Sequence, residues 1–458
     1  MIFSDPVFLL LFVPITVLLH RAALQHSEAA AQWVLVAGSL VFYSAWDVRW
    51  LPLLLGTIAI NLVIGRRLIR EKSRQLLIAG LAVNLIPLIA VKYAGWLSGG
   101  YVLSDIALPL GISFYTFQQI GFLVDAYQGK VESVGGRHYT LFVTFFSQLI
   151  AGPICHHRSL IDQFSRRFSL TQEKLTQALL LIIVGLFKKA VVADRLAPYA
   201  ESLFDGGGQV TVYEAWIGSL AYTFQLFFDF AGYCEMAMGF ALLFGYRIPI
   251  NFLSPYKSRS VTEFWKRWHI TLGQFFKSYL YIPLGGNRRG ARTMFIALFI
   301  TAFVSGLWHG AGMTFLIWGT LHGMALVTER AGSMLRIELP DWMKLTGTFL
   351  FVSMAWVLFR SPDLNTAMNI YQSMVGANGF VMPSLFAEIS GFEGEILSGL
   401  TGFEVLAIAG LIWWVWTQPN IHEIDFQPNW TRWSAAVTAC GIIMLSITSP
   451  AKFLYFQF

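Results

Sequence analysis

The chain has 458 residues, of which 56% are hydrophobic, 16% aromatic and only 13% charged, with a mean hydropathy of +0.59. This composition is too apolar for an ordinary soluble domain and points to a protein that crosses a membrane many times. The formal charge of +6 then reads as a membrane-topology signal with anionic headgroups as its partner, not as a nucleic-acid surface.

Taken in chain order, apolar windows recur at 6–24, 31–48, 50–65, 76–94, 109–127, 139–154, 174–193, 211–245, 293–312, 314–331, 345–360, 403–417 and 433–449. A membrane-crossing helix needs about 20 mostly apolar residues, so these windows predict about 10 to 12 spans. Several are short or interrupted by Gly and Pro and are expected to be re-entrant, covered by protein or facing a water-filled cavity. Residues 6–24 have no basic segment before them and no small-residue cleavage site, which predicts a retained helix.

The run RRLIREKSR at 66–74 carries five basic residues against Glu71 and is expected on the cytoplasmic side. Counting back places the N-terminus and the WDVRW loop around residue 48 outside. The basic runs at 156–168 and 285–292 are expected to be cytoplasmic too. Cys155, Cys234 and Cys440 are far apart, without the spacing of a disulfide framework or a zinc site, so no metal is expected. No repeat of 20–50 residues is visible, and residues 1–458 read as a single integral membrane domain. Its irregular stretches are 95–108, 205–209 and 376–402, the last expected to be an extramembrane excursion with partly amphipathic helices.

The segment 260–286 differs from its neighbours. Ser260 and Glu263 form an S-x-x-E pattern that predicts a helix start, and Pro283 closes the segment. Helical periodicity puts Phe264, Trp265, Trp268, Leu272, Phe275 and Phe276 on one face and Lys266, Arg267, Thr271, Gln274 and Lys277 on the other. This predicts an amphipathic helix lying in the headgroup layer or lining a polar entrance. His269 falls at the border of the faces, and Gly273 one turn on leaves room for a group to approach its ring. Either His269 serves a site, or it merely snorkels to the interface.

In SGLWHGAGMTFLIWG at 305–319, His309 stands inside an apolar window with Gly306, Gly310 and Gly312 around it. An ionisable residue at membrane depth usually faces a cavity or a partner. The competing reading is a packing histidine bonded to a neighbour such as Ser305, with the glycines serving close helix contact. His322 lies roughly 220° further round an ideal helix from His309 and reads as structural. Asp229 and Glu235 are also at membrane depth, either neutral, paired with one another, or paired with a basic group elsewhere.

The stretches LPLGISFYTFQQIGFLVDAY (108–127), QLIAGPI (148–154), FFDFAGY (227–233), IPINFLSPYKSRSVTEFWKRWHITL (248–272), YLYIPLGGNRRG (279–290), SGLWHGA (305–311) and FLYFQF (453–458), in this order and spacing, resemble the membrane-bound O-acyltransferases. The likeness is to the bacterial branch that acetylates alginate or transfers D-alanine to teichoic acid, and the C-terminal stretch resembles the alginate side. The chain departs from the family pattern at Ser147, Cys155–His156, Cys234, Glu235, Gly273, Ser278 and Met313.

The resemblance implies an all-α integral membrane fold of many spans, with re-entrant and amphipathic helices, around a funnel or tunnel. His309 would be the catalytic base and His269 the second motif histidine, with Trp308, Asp229, Trp265, Gly273 and Asn251 lining the substrate path. It further implies a thioester donor, acetyl-CoA or an acylated carrier, with no bound cofactor or metal. The setting would be the bacterial inner membrane, with a periplasmic acetyltransferase and polysaccharide secretion proteins as partners. The rival acceptors or acyl groups are D-alanine, peptidoglycan and cellulose. From other classes, the rivals are a proton-coupled transporter or flippase using Asp229, Glu235 and His309, and a non-catalytic scaffold.

Overall fold

The computed structural model describes residues 1–99, 109–206, 210–335, 338–380, 382–383, 396–397, 402–424, 438–443 and Leu454. After a π-helical turn at Phe8–Phe12 come α1 (Val13–Leu24), α2 (Glu28–Asp47), α3 (Leu51–Glu71) and α4 (Arg74–Leu97). The Ser27 side chain accepts the Ala30 N–H and starts α2. Lys72 takes a left-handed conformation that ends α3, and Ser73 caps α4 directly after it. The basic run is thus a tight helical hairpin.

Next come α5 (Ile112–Tyr127), α6 (Gly136–Thr144), α7 (Phe146–Leu149), α8 (His157–Phe164), α9 (Gln172–Leu186), α10 (Asp194–Asp205) and α11 (Val212–Leu243). A π-helical stretch, Phe187–Ala193, joins α9 to α10. The chain continues through α12 (Val261–Arg267), α13 (Ile270–Phe276), a π-turn at Lys277–Tyr281, α14 (Ala291–His309), α15 (Met313–Met334), α16 (Asp341–Arg360), α17 (Leu364–Met374) and α18 (Phe403–Thr417). The described strands are two residues each, Met382–Pro383 paired with Ile396–Leu397.

Among the described residues, six helical stretches are long and apolar enough to cross a membrane: Glu28–Glu71, Arg74–Leu97, Gln172–Asp205, Val212–Leu243, Ala291–His309 and Asp341–Arg360. The first, at 44 residues, holds two of the expected spans. Leu10, Leu18, Val41, Ile60, Ile86 and Trp413 point outward, an apolar belt that water would not tolerate and lipid tails do. The protein is therefore all-helical in architecture and multi-span.

α11 is the central post. Almost its whole surface is buried, and α9 lies against it because Gly185, Gly232 and Gly239 carry no side chain. A Cβ on Gly232 would stand 2.6 Å from the Gly185 carbonyl, and one on Gly239 2.7 Å from that of Ala178. Close backbone approach of this kind is the usual route to helix association in lipid.

Three expectations need revision. The window 139–154 is not one span: the chain breaks at Phe145 (φ −50, ψ 110) into α6, buried from Leu141 to Thr144, and α7, buried throughout. The predicted amphipathic helix from Ser260 breaks at Trp268–His269 into α12 and α13. At its start only half of the capping pattern forms, since Glu263 accepts the Arg259 N–H instead of returning to Ser260. The expected helices of 376–402 and the window 433–449 lie mostly outside the described residues, as do most of 95–108, 207–209 and FLYFQF.

Two of the basic loops expected on one side of the membrane do lie together. A Cβ on Gly129 would touch the Lys72 amine, Arg66 reaches the Val134 carbonyl at 3.4 Å, and Arg158 donates to the Lys130 carbonyl. These contacts put 66–74 and 156–158 at the same end of the molecule.

Candidate active site

α14 ends at His309 because Gly310 is fully extended (φ −162, ψ 158), and α15 starts after Gly312. A helix end leaves carbonyls without partners, and here α4 supplies them. Lys92 donates to the Trp308 carbonyl and, at 2.9 Å, to that of His309, while Tyr93 donates to Leu307. The Lys92 ammonium also lies 5.7 Å from the Trp308 ring centre. The His309 ring is buried, edge-on to Trp308 at 4.8 Å, Phe359 at 5.1 Å and Trp318 at 5.2 Å.

Gly306 and Gly310 serve packing. A Cβ at Gly306 would stand 2.5 Å from the Phe315 carbonyl on α15, and one at Gly310 would enter the Phe315 ring. The turn at 310–312 folds α15 back along α14, so His309 and His322 sit on different helices. The single-helix geometry that separated them in the sequence does not apply. The two imidazoles flank Trp318, at 5.2 and 4.6 Å. His322 therefore belongs to the cluster, and the sequence reading missed it.

The break between α12 and α13 places His269. Its backbone is left-handed (φ 44, ψ 52), a conformation that costs energy for a non-glycine residue and persists only when the surroundings enforce it. Asn251 does so. Its backbone carbonyl accepts the Ile270 N–H at 2.9 Å, and its side-chain oxygen accepts from the Thr271 N–H (3.1 Å), the Thr271 hydroxyl (2.9 Å) and His269 Nδ1 (3.2 Å). Because that oxygen is held as an acceptor, the His269 proton resides on Nδ1, leaving Nε2 as the acceptor nitrogen. The imidazole is buried, 6.2 Å from Trp308, and does not snorkel.

Two cavities meet along α13, both lined by Gln274 and Lys277. The larger, about 530 Å³, has Trp265, Gly273, Ser305, Trp318 and His322 in its wall. Trp265 donates its indole N–H to His322 Nδ1 at 3.2 Å, so the His322 proton sits on Nε2. Among the described residues, His322 Nε2 and the indole nitrogens of Trp318 and Trp308 are buried donors without a hydrogen-bond partner. Donors of this kind are costly in a finished core and ordinary in a binding site. Gly273 opens toward this cavity, where a Cβ would meet nothing closer than the Trp265 carbonyl at 3.3 Å. The smaller cavity, about 430 Å³, is lined by Thr271, His156 and His157. Burial, opposed by a hydrogen bond to Asp125, holds the His157 imidazole below its ordinary pKa.

Asp229 and Glu235 are not paired with one another. Asp229 bonds Lys189 at 2.8 Å, and Glu235 bonds Lys188, from consecutive positions of the π-helical stretch. The second Asp229 oxygen accepts the Leu454 N–H at 2.9 Å, so this carboxylate ties the C-terminal segment to α11. The family departures are similarly occupied: Ser147 donates to the Ala237 carbonyl, and Cys234 accepts from the Asn251 amide at 3.4 Å.

His309, His269, Trp308, Trp265, Asn251 and Gly273 thus come together around α13 and the end of α14, while Asp229 lies in a separate ion-paired group. Lys92 joins the cluster without a sequence signal, because it acts across space from α4, and His322 joins it through the turn that folds α15 back along α14.

A family model described as the membrane-bound O-acyltransferase family matches residues 126–359. A peptidoglycan O-acetyltransferase of Helicobacter pylori is 35% identical, over 100% of this chain and 98% of its own. A protein of Pseudomonas putida named a probable alginate O-acetylase is 36% identical over the full length of both. A teichoic acid D-alanyltransferase of Streptococcus thermophilus is 27% identical over 64% of this chain and 71% of its own.

Proposed function

Because the chain belongs to the membrane-bound O-acyltransferase family, we propose that this O-acyltransferase moves acetyl groups from a cytoplasmic thioester to the hydroxyls of an exported glycan, with His309 as general base. The thioester is acetyl-CoA or an acetylated carrier. The acceptor is an exported polysaccharide, reached directly or through a periplasmic transferase, and the protein works in the bacterial inner membrane as one domain.

In the reaction, His309 takes the proton of the attacking hydroxyl as its oxygen adds to the thioester carbonyl. The tetrahedral intermediate then expels the thiolate, which recovers the proton from His309. Base assistance of this kind contributes typically 10²–10⁴ in rate. The carbonyl oxygen gains negative charge on the way, and N–H donors fixed before the reaction stabilise it most effectively. The observation that carries the reading is the buried His309 imidazole 5.2 Å from the Trp318 ring, whose unpartnered indole N–H lines a cavity together with the unpartnered His322 Nε2. Asn251 and the His269 turn would position the acyl group from the other side. The ion pairs of Asp229 and Glu235 weigh against a proton path through them to His309.

The test is the acetyl ester content of exported glycan in cells carrying wild-type protein, His309→Ala or His269→Ala, each confirmed in the membrane. Loss of ester in His309→Ala supports the reading, and unchanged ester sinks it. Peptidoglycan is the second acceptor, favoured by the similarity to the Helicobacter pylori protein over nearly its whole length, and acetyl muramic ester measured on the same cells decides between the two.

A further inference from the structure

A second cluster lies apart from the reaction centre, at the basic end of the molecule. We propose that Asp125, His156 and His157 form a binding site for one divalent transition-metal ion of the zinc class. Asp125 comes from the last turn of α5, and the two histidines stand at the start of α8. Neighbouring side chains at a helix start commonly diverge, yet both Nε2 atoms converge on one oxygen, Asp125 Oδ2, at 2.7 Å for His156 and 3.2 Å for His157.

That oxygen is a point of convergence. Tyr279, from the π-turn after α13, also donates to it at 2.7 Å, so three donors crowd one buried carboxylate oxygen, as three do at Asn251 Oδ1, but here two of them are imidazoles able to ligate a metal. Lys130 takes the other oxygen at 3.0 Å. One cation shared by the oxygen and the two imidazole nitrogens would replace this crowding with bonds each atom can satisfy. The donor atoms of the three residues all lie within 4.8 Å of one another. A tetrahedral zinc ion, with bonds of about 2.0–2.1 Å, needs its donors roughly 3.4 Å apart, so small side-chain shifts suffice.

Two imidazoles and one carboxylate suit zinc or its first-row neighbours and are too few oxygens for calcium or magnesium. Tyr279 or a water would supply a fourth ligand. The ion has a route in: the Asp125 side chain is 1% exposed but that of His156 is 46%, and both histidines line the cavity of about 430 Å³. Two present contacts would change. Arg158 N–H to His156 Nδ1, at 3.3 Å, would be given up, and the half-exposed Lys130 is free to swing into solvent. A bound ion would clamp α5, α8 and the π-turn together around the cavity whose Thr271 wall supports Asn251 and His269. The cysteines gave no hint of this, because none of the three ligands is a cysteine.

The experiment uses the full-length protein purified in detergent, stripped with chelator and titrated with ZnCl2 or CoCl2. The readouts are bound metal by mass spectrometry and the visible absorption of bound Co²⁺, neither of which depends on acetyl transfer. The expected result is one ion per chain for wild type, with affinity lowered by more than about 100-fold in His157→Gln and Asp125→Asn. His156→Gln changes a half-exposed side chain and keeps the fold, so its matching loss guards against a folding artefact. Lys130→Ala, which removes a nearby positive charge, is expected to bind at least as tightly. Wild-type protein that holds no more metal than His156→Gln, or lacks a Co²⁺ absorption band, overturns the proposal.

Discussion

Lys92 sits in an apolar helix, where an ammonium group needs a strong reason to be. Its partners are the carbonyls that end α14, so it fixes where the helix stops and hence where the His309 ring is held. Lys92→Met keeps the volume and leaves two buried acceptors unmet, at about 1–3 kcal/mol each. The expected outcome is a lower melting temperature in detergent together with reduced acyl transfer. An unchanged melting temperature would show that the carbonyls find other donors. Asn251→Leu is the matching case for His269, since it removes the acceptor that fixes the Nδ1 proton and the left-handed turn. Activity is expected to fall more steeply than thermal stability, because the ring loses its orientation while the hydrophobic packing around it remains. At this scale His309, His269 and Asn251 were legible in their motifs. Lys92 and His322 were not, because a lone lysine or histidine in an apolar window does not reveal a partner more than fifty residues away.

Among the helices, the α14–α15 hairpin matters most. Gly306 and Gly319 let the two backbones touch, with only 2.5 Å available to a Cβ at Gly306 before it meets Phe315 oxygen. Gly306→Leu should push α15 away from α14 at a cost of about 1–3 kcal/mol or more and separate Trp318 from His309. Loss of activity with a fall in melting temperature checks this, and full activity would mean that the hairpin does not position the site. The sequence separated the two helices as the windows 293–312 and 314–331 but did not show their close packing, and the angle that set His322 apart from His309 assumed one continuous helix. The same limit explains the break at Trp268–His269. Periodicity saw one amphipathic helix, whereas the interruption comes from tertiary bonds to Asn251 and from the Leu253 N–H donating to the Arg267 carbonyl.

For the molecule as a whole, the multi-span helical class followed from composition and apolar windows, and the clustering of 66–74 with 156–158 agrees with the basic-loop rule. Where each cavity opens was beyond the sequence, because it depends on which helices lie against one another. The orientation has its own test: single cysteines at Arg70 and at Arg49, in a background lacking Cys440, labelled by an impermeant maleimide. Arg70→Cys should react only in inside-out vesicles and Arg49→Cys only in intact spheroplasts, and the reverse pattern would invert the topology.

His309 is proposed to drive acyl transfer from a thioester. The most direct test is single-turnover transfer of labelled acetyl from acetyl-CoA to glycan by purified protein, comparing wild type with His309→Gln. The expected rate is lower by about 10²–10⁴ in the variant, with thioester binding retained. Equal rates in the two proteins would rule out His309 as the base.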